Sequence, residues 1–298
     1  MSPKFFDPQT LARIRSFRLR AGRLAEGLAS GMHRSRRKGT SIEFAEHREY
    51  APGDDLRYVD WKAYARTDRL FVKQYEDETN LFVWIALDAS RSMAYRHPDS
   101  PLSKFEYGQC LAASLAWLAL QKQDAVSATT FDSRVRMHVR PGSSGSHWNQ
   151  IVDALDASPT DEKTSLAPAL HDAAERMGRR GLVIAIGDFF DNLEATLAGL
   201  KQLRARRHRV AILHVLDAAE LEFPFDVPTL FRDLELSGET QVDPVSLRAA
   251  YREEIDRFRR ELSEAARHWG MEYYLMTTRE PIDDALAQFL ARHERLST

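Results

Sequence analysis

Apolar positions along the chain fall into two kinds of run. Unbroken runs occur at Leu81–Leu87, Leu182–Ile186 and Val210–Leu216. Each is too short to cross a membrane and suits a strand buried on both faces. Other apolar residues recur at helical spacing: Leu11, Ile14, Phe17, Ala21, Leu24 and Leu28 near the N-terminus, and Tyr251, Ile255, Phe258, Leu262, Ala265 and Trp269 toward the C-terminus. Asp7-Pro8 marks the start of the first helix and Gly31 its stop, with Arg13, Arg15, Arg20 and Arg23 on the opposite, solvent face. Phe105 to Leu120 is apolar nearly all round, as a buried helix would be. Ala125–Phe131 and Arg134–Arg140 read as strands, joined through Asp132-Ser133 into an antiparallel hairpin. Further helices are expected at 147–155, 166–177, 193–206 and 281–292, and a last strand at Met271–Thr277.

Short apolar strands alternating with helices predict an α/β fold: a mostly parallel central sheet with helices on both faces. Two stretches depart from that rhythm. Residues 40–80 mix Asp54, Asp55, Arg57, Asp60, Trp61 and Arg66 after a Pro52-Gly53 turn, which reads as a salt-bridged surface packed around Tyr58 and Trp61. Leu70–Tyr75 then reads as a strand leading toward the central one. Residues 217–243 are interrupted by Pro224 and Pro228 and alternate around Ser237-Gly238, predicting an inserted hairpin near 225–243. The expected organisation is an N-terminal helix and strand extension over 1–79, followed by the α/β domain over 80–298.

Composition narrows the options. The formal net charge of −2 points to no overall electrostatic partner. Basic residues do cluster near the N-terminus, but the run HRSRRKG at 33–39 has no interleaved aromatic on which a base could stack. Nucleic-acid binding through this end therefore ranks last among the readings. The single cysteine, Cys110, sits among Leu111, Ala112 and Ala113 and is expected to be a buried, inert thiol. With no apolar run of about 18 residues and no leader-type apolar region at the N-terminus, the expected location is the cytoplasm, with no membrane span.

Candidate chemistry gathers at strand ends. Asp88, Ser90 and Ser92 follow the first buried run and place hard oxygens on alternate positions, a set that suits a cation such as Mg²⁺. The rival reading is a serine-rich loop that caps the next helix. Asp188 follows the second buried run, and parallel sheets bind ligands beyond such carboxyl ends. No nucleophile paired with a base, phosphate-binding glycine loop or His/Cys ligand cluster is recognisable, so the chain does not read as an enzyme. The enzymatic alternative is a Mg²⁺-dependent hydrolase of phosphate esters built on Asp88. Such enzymes need a second Asp two residues on, where this chain has Ser90.

DASRSM at 88–93, a Thr at 164 and Asp188 after a buried strand resemble a von Willebrand factor A domain with a metal-ion-dependent adhesion site. The block REYAPGDDLRYVDWKAYARTDRLFVKQYEDE resembles the signature of the bacterial domain-of-unknown-function 58 family. The resemblance implies a Rossmann-like sheet with one antiparallel edge strand, at Arg134–Arg140. It also implies metal ligation by Asp88, Ser90, Ser92, Thr164 and Asp188, with Mg²⁺ as the ion and Mn²⁺ or Ca²⁺ as alternatives. Thr160 and Ser165 rival Thr164, and Asp191 rivals Asp188. Lys163 would bring an opposing positive charge. By the same resemblance, the chain would be a metal-dependent protein-binding adaptor working with a MoxR-type AAA+ ATPase on a client protein that offers an acidic side chain.

Overall fold

The structure, a computed structural model, describes residues 6–36, 47–50, 69–73, 81–157, 180–190, 193–226, 229–232 and 239–295, with 59, 61, 64, 66, 170 and 175 singly. The chain divides into two compact units, residues 1–28 with 81–298, and residues 29–80. The expected division at residue 79 therefore differs at the N-terminus. Leu11, Phe17, Ala21 and Leu24 belong to the core of the larger unit, and burying that apolar stripe fixes where the first helices go.

The larger unit is built on a six-stranded sheet. Its strands are β3 (Phe82–Asp88), β4 (Ala125–Phe131), β5 (Val135–Gly142), β6 (Gly181–Gly187), β7 (Arg209–Leu216) and β10 (Glu272–Thr277), in spatial order β10-β7-β6-β3-β4-β5. All neighbours run parallel except β4 and β5, so the antiparallel strand lies at one edge, as the family resemblance implies. The unbroken apolar runs are explained by burial on both faces. On β3, Val83, Ile85 and Leu87 enter one core with Leu111 and Leu115 of α3 (Lys104–Gln121), Ile151 of α4 (His147–Asp156) and Phe289 of α8 (Ile282–Arg295). Trp84 and Ala86 enter the other, with Leu200 of α5 (Leu193–Ala205) and Leu262 of α7 (Pro244–His268). The alternation is the two-residue period of a strand. The buried Trp84 Nε1 donates to Thr129 Oγ1 at 2.8 Å, which satisfies its polar atom.

The N-terminal helix is not continuous. Asp7 caps α1 (Pro8–Ala12) as expected, accepting from the Thr10 amide at 3.0 Å, but the helix stops at once. It restarts as α2 (Phe17–Arg36), which passes through Gly31 rather than ending there. Arg20 explains why the break is tolerated. Its guanidinium donates to the Ile14 carbonyl at 2.7 Å and to the Arg15 carbonyl at 3.4 Å, replacing helical partners lost at the junction. It also pairs with Glu106 at 2.7 Å. Arg20 is therefore buried and not on the solvent face, a correction to the periodic reading.

Two further sheets, each of two strands, occur among the described residues. β1 (His47–Glu49) pairs antiparallel with β2 (Phe71–Lys73), so this strand belongs to a two-stranded sheet within the smaller unit instead of leading into the central one. In that unit Trp61 is 59% exposed and meets Tyr64 edge-on, so the expected packing around Trp61 is corrected. Residues 51–58 and 60 of the same block lie outside the described residues. β8 (Thr229–Arg232) and β9 (Glu239–Val242) form the antiparallel hairpin expected near 225–243.

Candidate metal centre

Parallel register carries the ends of β3 and β6 to one edge of the sheet. Leu87 pairs with Ile186, which leaves Asp88 beside Gly187 and Asp188 just beyond it. The approach is close because residue 187 has no side chain. A Cβ there would lie 2.8 Å from Asp88 Cβ and 3.1 Å from its Oδ2. After β3 the chain turns into a short 3₁₀ helix, Arg91–Ala94, which brings Ser92 back over the strand end. After Asp188 it turns through Phe189, a non-glycine residue in the left-handed region at φ 55°, and the Phe190 amide donates back to Asp188 Oδ1 at 3.2 Å.

The result is a group of oxygens gathered at one strand edge. The Ser90 amide donates to Asp88 Oδ1 at 2.8 Å, and the Ser90 and Ser92 hydroxyls lie 3.0 Å apart. Asp88, Ser90 and Asp188 are buried. Among the described residues Asp88 Oδ2 has no hydrogen-bond partner. Thus four of the five sequence-derived residues converge. Thr164 and its rivals Thr160 and Ser165 lie outside the described residues, as do Lys163 and Asp191.

One participant was not anticipated. Lys104, the first residue of α3, is 1% exposed, and its Nζ donates to Asp188 Oδ2 and to Glu220 Oε1, both at 2.7 Å. Glu220 lies on α6 (Ala218–Glu222), where its other oxygen accepts from the Asp217 amide in a capping box. A cation at a helix N-terminus opposes the helix dipole, so a lysine opening an otherwise apolar helix is a sequence-level sign that it has carboxylate partners elsewhere. The sequence reading began this helix one residue too late to see it.

Electrostatics follow from these contacts. Burial, then the Asp188 charge, pushes the Asp88 carboxyl up to about 8. Burial alone would raise Asp188 as well, but the Lys104 ammonium holds it below the usual carboxylate range. Burial tends to lower Lys104, and its two carboxylate partners outweigh this and hold it above its ordinary value. Burial raises Glu220 despite the ammonium. Among the described residues no three His, Cys, Asp or Glu side chains converge as a metal cluster. Any cation here would be held by two carboxylates and hydroxyls. That donor set, with a buried carboxylate oxygen left unpartnered, fits a hard divalent ion.

Asp217 completes this edge of the sheet. Its Oδ1 accepts from Ser100 Oγ at 3.0 Å and the Ala219 amide at 2.9 Å. Its Oδ2 accepts from Thr278 Oγ1 at 3.2 Å and the His97 amide at 3.4 Å. It thereby joins the loop after β3 to the ends of β7 and β10.

The model of the protein family of unknown function DUF58 matches residues 46–261. The chain belongs to the DUF58 family. An uncharacterized protein of Mycobacterium tuberculosis (strain ATCC 25618 / H37Rv) is 27% identical to this DUF58 protein over 246 residues, covering 80% of the chain and 75% of the relative. The conserved hypothetical protein BatB from Bacteroides thetaiotaomicron is similar in structure, with a TM-score of 0.51 at 16% identity, over 73% of this chain and all of that one. An aerotolerance-related membrane protein from Bacteroides fragilis superposes with a TM-score of 0.45 at 19% identity, over 66% of this chain and 91% of that one. The VWA domain of SpRpn10 does so with a TM-score of 0.44 at 9% identity, over 70% of this chain and 95% of that one. The fold of this DUF58 protein is the α/β arrangement that the resemblance to a von Willebrand factor A domain implies, a mostly parallel six-stranded sheet with one antiparallel edge strand.

The expectation of a cytoplasmic location is corrected by these neighbours, since one is described as a membrane protein, and so is another, a membrane-spanning protein from Vibrio fischeri. No helix among the described residues is long and apolar enough to cross a membrane, and that alone does not assign a compartment.

Proposed function

We propose that this DUF58 protein is a binding module for other proteins, with the Asp88–Ser90–Ser92–Asp188 centre holding Mg²⁺ as its contact point. Mn²⁺ and Ca²⁺ are the alternative ions. The observation that carries this reading is Asp88 Oδ2, a buried carboxylate oxygen beside a second carboxylate and with no partner of its own among the described residues. The ion would supply a Lewis-acidic position for a partner's carboxylate. Asp88 and the two serines would hold it, and Asp188 would tether it from the second loop. Magnesium suits such a site because it keeps several waters and needs few protein ligands. The family resemblance supplies the wider setting, a MoxR-type AAA+ ATPase and a client that offers an acidic side chain.

The test is capture of the ATPase by the immobilised protein in MgCl₂ and in EDTA. Recovery should fall in EDTA and with Asp88→Asn, which keeps the shape and removes the charge. Equal recovery under all three conditions overturns the proposal. Steady hydrolysis of a phosphate ester by the wild type, lost in Asp88→Asn, would replace it with the hydrolase reading.

A further inference from the structure

We infer that Lys104 is a cation built into this centre, which shares Asp188 with any divalent ion and thereby sets the site's metal affinity low. The inference rests on the reading that the centre takes a divalent ion, and it adds the residue that governs how tightly.

The argument begins with enclosure. The ammonium meets Asp188 and Glu220 at 2.7 Å each, and the rings of Phe190 and Tyr95 lie 5.2 and 5.7 Å from it. Carboxylates and aromatic faces are the surroundings an ammonium accepts away from water. A lysine held this way cannot swing into solvent when a second cation arrives, as a surface lysine would. The ammonium lies against one oxygen of Asp188 while the Phe190 amide holds the other. A divalent ion tethered by Asp188 must therefore use a carboxylate whose charge is already partly neutralised, and must do so beside a fixed positive charge.

Charge counting separates position from total. The cluster has three carboxylates, Asp88, Asp188 and Glu220, and one ammonium. Removing Lys104 and Glu220 together leaves the net charge unchanged and takes away the ammonium that touches Asp188 along with the carboxylate that pairs with it, the ammonium being the one in contact with the shared ligand. The same change avoids leaving Glu220 buried without a partner, a loss that the single Lys104 substitution would impose. Glu220 Oε2 also closes the α6 capping box, and glutamine retains an acceptor for that role.

The experiment is titration of the full chain with Mn²⁺, read as free Mn²⁺ by electron paramagnetic resonance, on the wild type and on Lys104→Gln/Glu220→Gln. Circular dichroism melting of each sample confirms folding. The double variant should bind Mn²⁺ about tenfold or more tightly than the wild type, since the relieved repulsion acts across a poorly screened, buried distance. The melting temperature of the double variant should also rise with added Mn²⁺ more than that of the wild type. If the wild type binds and the double variant binds equally or more weakly, the inference about Lys104 is overturned while the metal reading stands. If only the double variant binds, the inference holds in its strongest form and the native chain loses its metal reading. If neither folded protein binds, both are overturned.

Discussion

Gly187→Ala separates two physical arguments by sign. The glycine has no left-handed backbone angle, so alanine can adopt its conformation. On chain entropy alone the change should stabilise by about 0.4–1 kcal/mol, because the unfolded chain loses freedom. The structure says otherwise. The new methyl carbon would lie 2.8 Å from Asp88 Cβ, an atom too near the backbone to move aside cheaply. Overpacking of this kind costs about 1–3 kcal/mol, so the net expectation is a loss of about 1–2 kcal/mol. The methyl also lies 3.1 Å from Asp88 Oδ2, so the unpartnered oxygen must shift and Mn²⁺ binding should weaken with stability. Gly22→Ala is the control. Nothing lies within 4 Å of a Cβ there, and within α2 the change should stabilise by up to about 1 kcal/mol. Urea unfolding followed by tryptophan fluorescence measures both. If Gly187→Ala unfolds at the wild-type midpoint or later, with unchanged Mn²⁺ titration, the two loops do not meet as described and the metal centre loses its geometric basis.

Two further outcomes follow, one from the α1–α2 junction and one from the buried histidine beside Asp188. Arg20→Met should cost about 2–3 kcal/mol, since it removes a partly buried ion pair and uncovers two carbonyls at the α1–α2 junction; in a cycle with Glu106→Gln, strictly additive losses would refute the pairing. Burial holds the His214 imidazole down to about 3. The unfolded chain takes up that proton near 6.5, so the stability is complete above about pH 6.5 and is lost as pH falls toward 3. Between pH 7.5 and pH 5 the loss from this residue is about 2 kcal/mol, and His214→Phe should flatten the urea-midpoint profile over that range. An unchanged slope in the variant would rule out His214 as its source.

The central strands were legible because a strand covered on both faces leaves a continuous apolar run, as β3, β6 and β7 do. Asp88 and Asp188 could be expected to meet because parallel strands share one carboxyl edge. What the sequence concealed were contacts without local signature. Lys104 finds Asp188 84 residues away and Glu220 116 residues away, and neither spacing has a period to detect. Glu220 and Asp217 fell in a stretch where the strand–helix rhythm had failed. The break between α1 and α2 was hidden for another reason: the apolar spacing continues across it, and Arg20 turns inward to the junction carbonyls and to the distant Glu106.

Asp217 has a thermodynamic consequence for the proposed recognition. Because its two oxygens bind loops from three strand ends, those loops are ordered before any encounter, and docking onto them need not immobilise them again. Association at this edge should therefore proceed as rigid bodies do, with a modest heat-capacity change set by the contact area alone. Cutting the clasp with Asp217→Ala would shift part of that ordering onto the moment of contact.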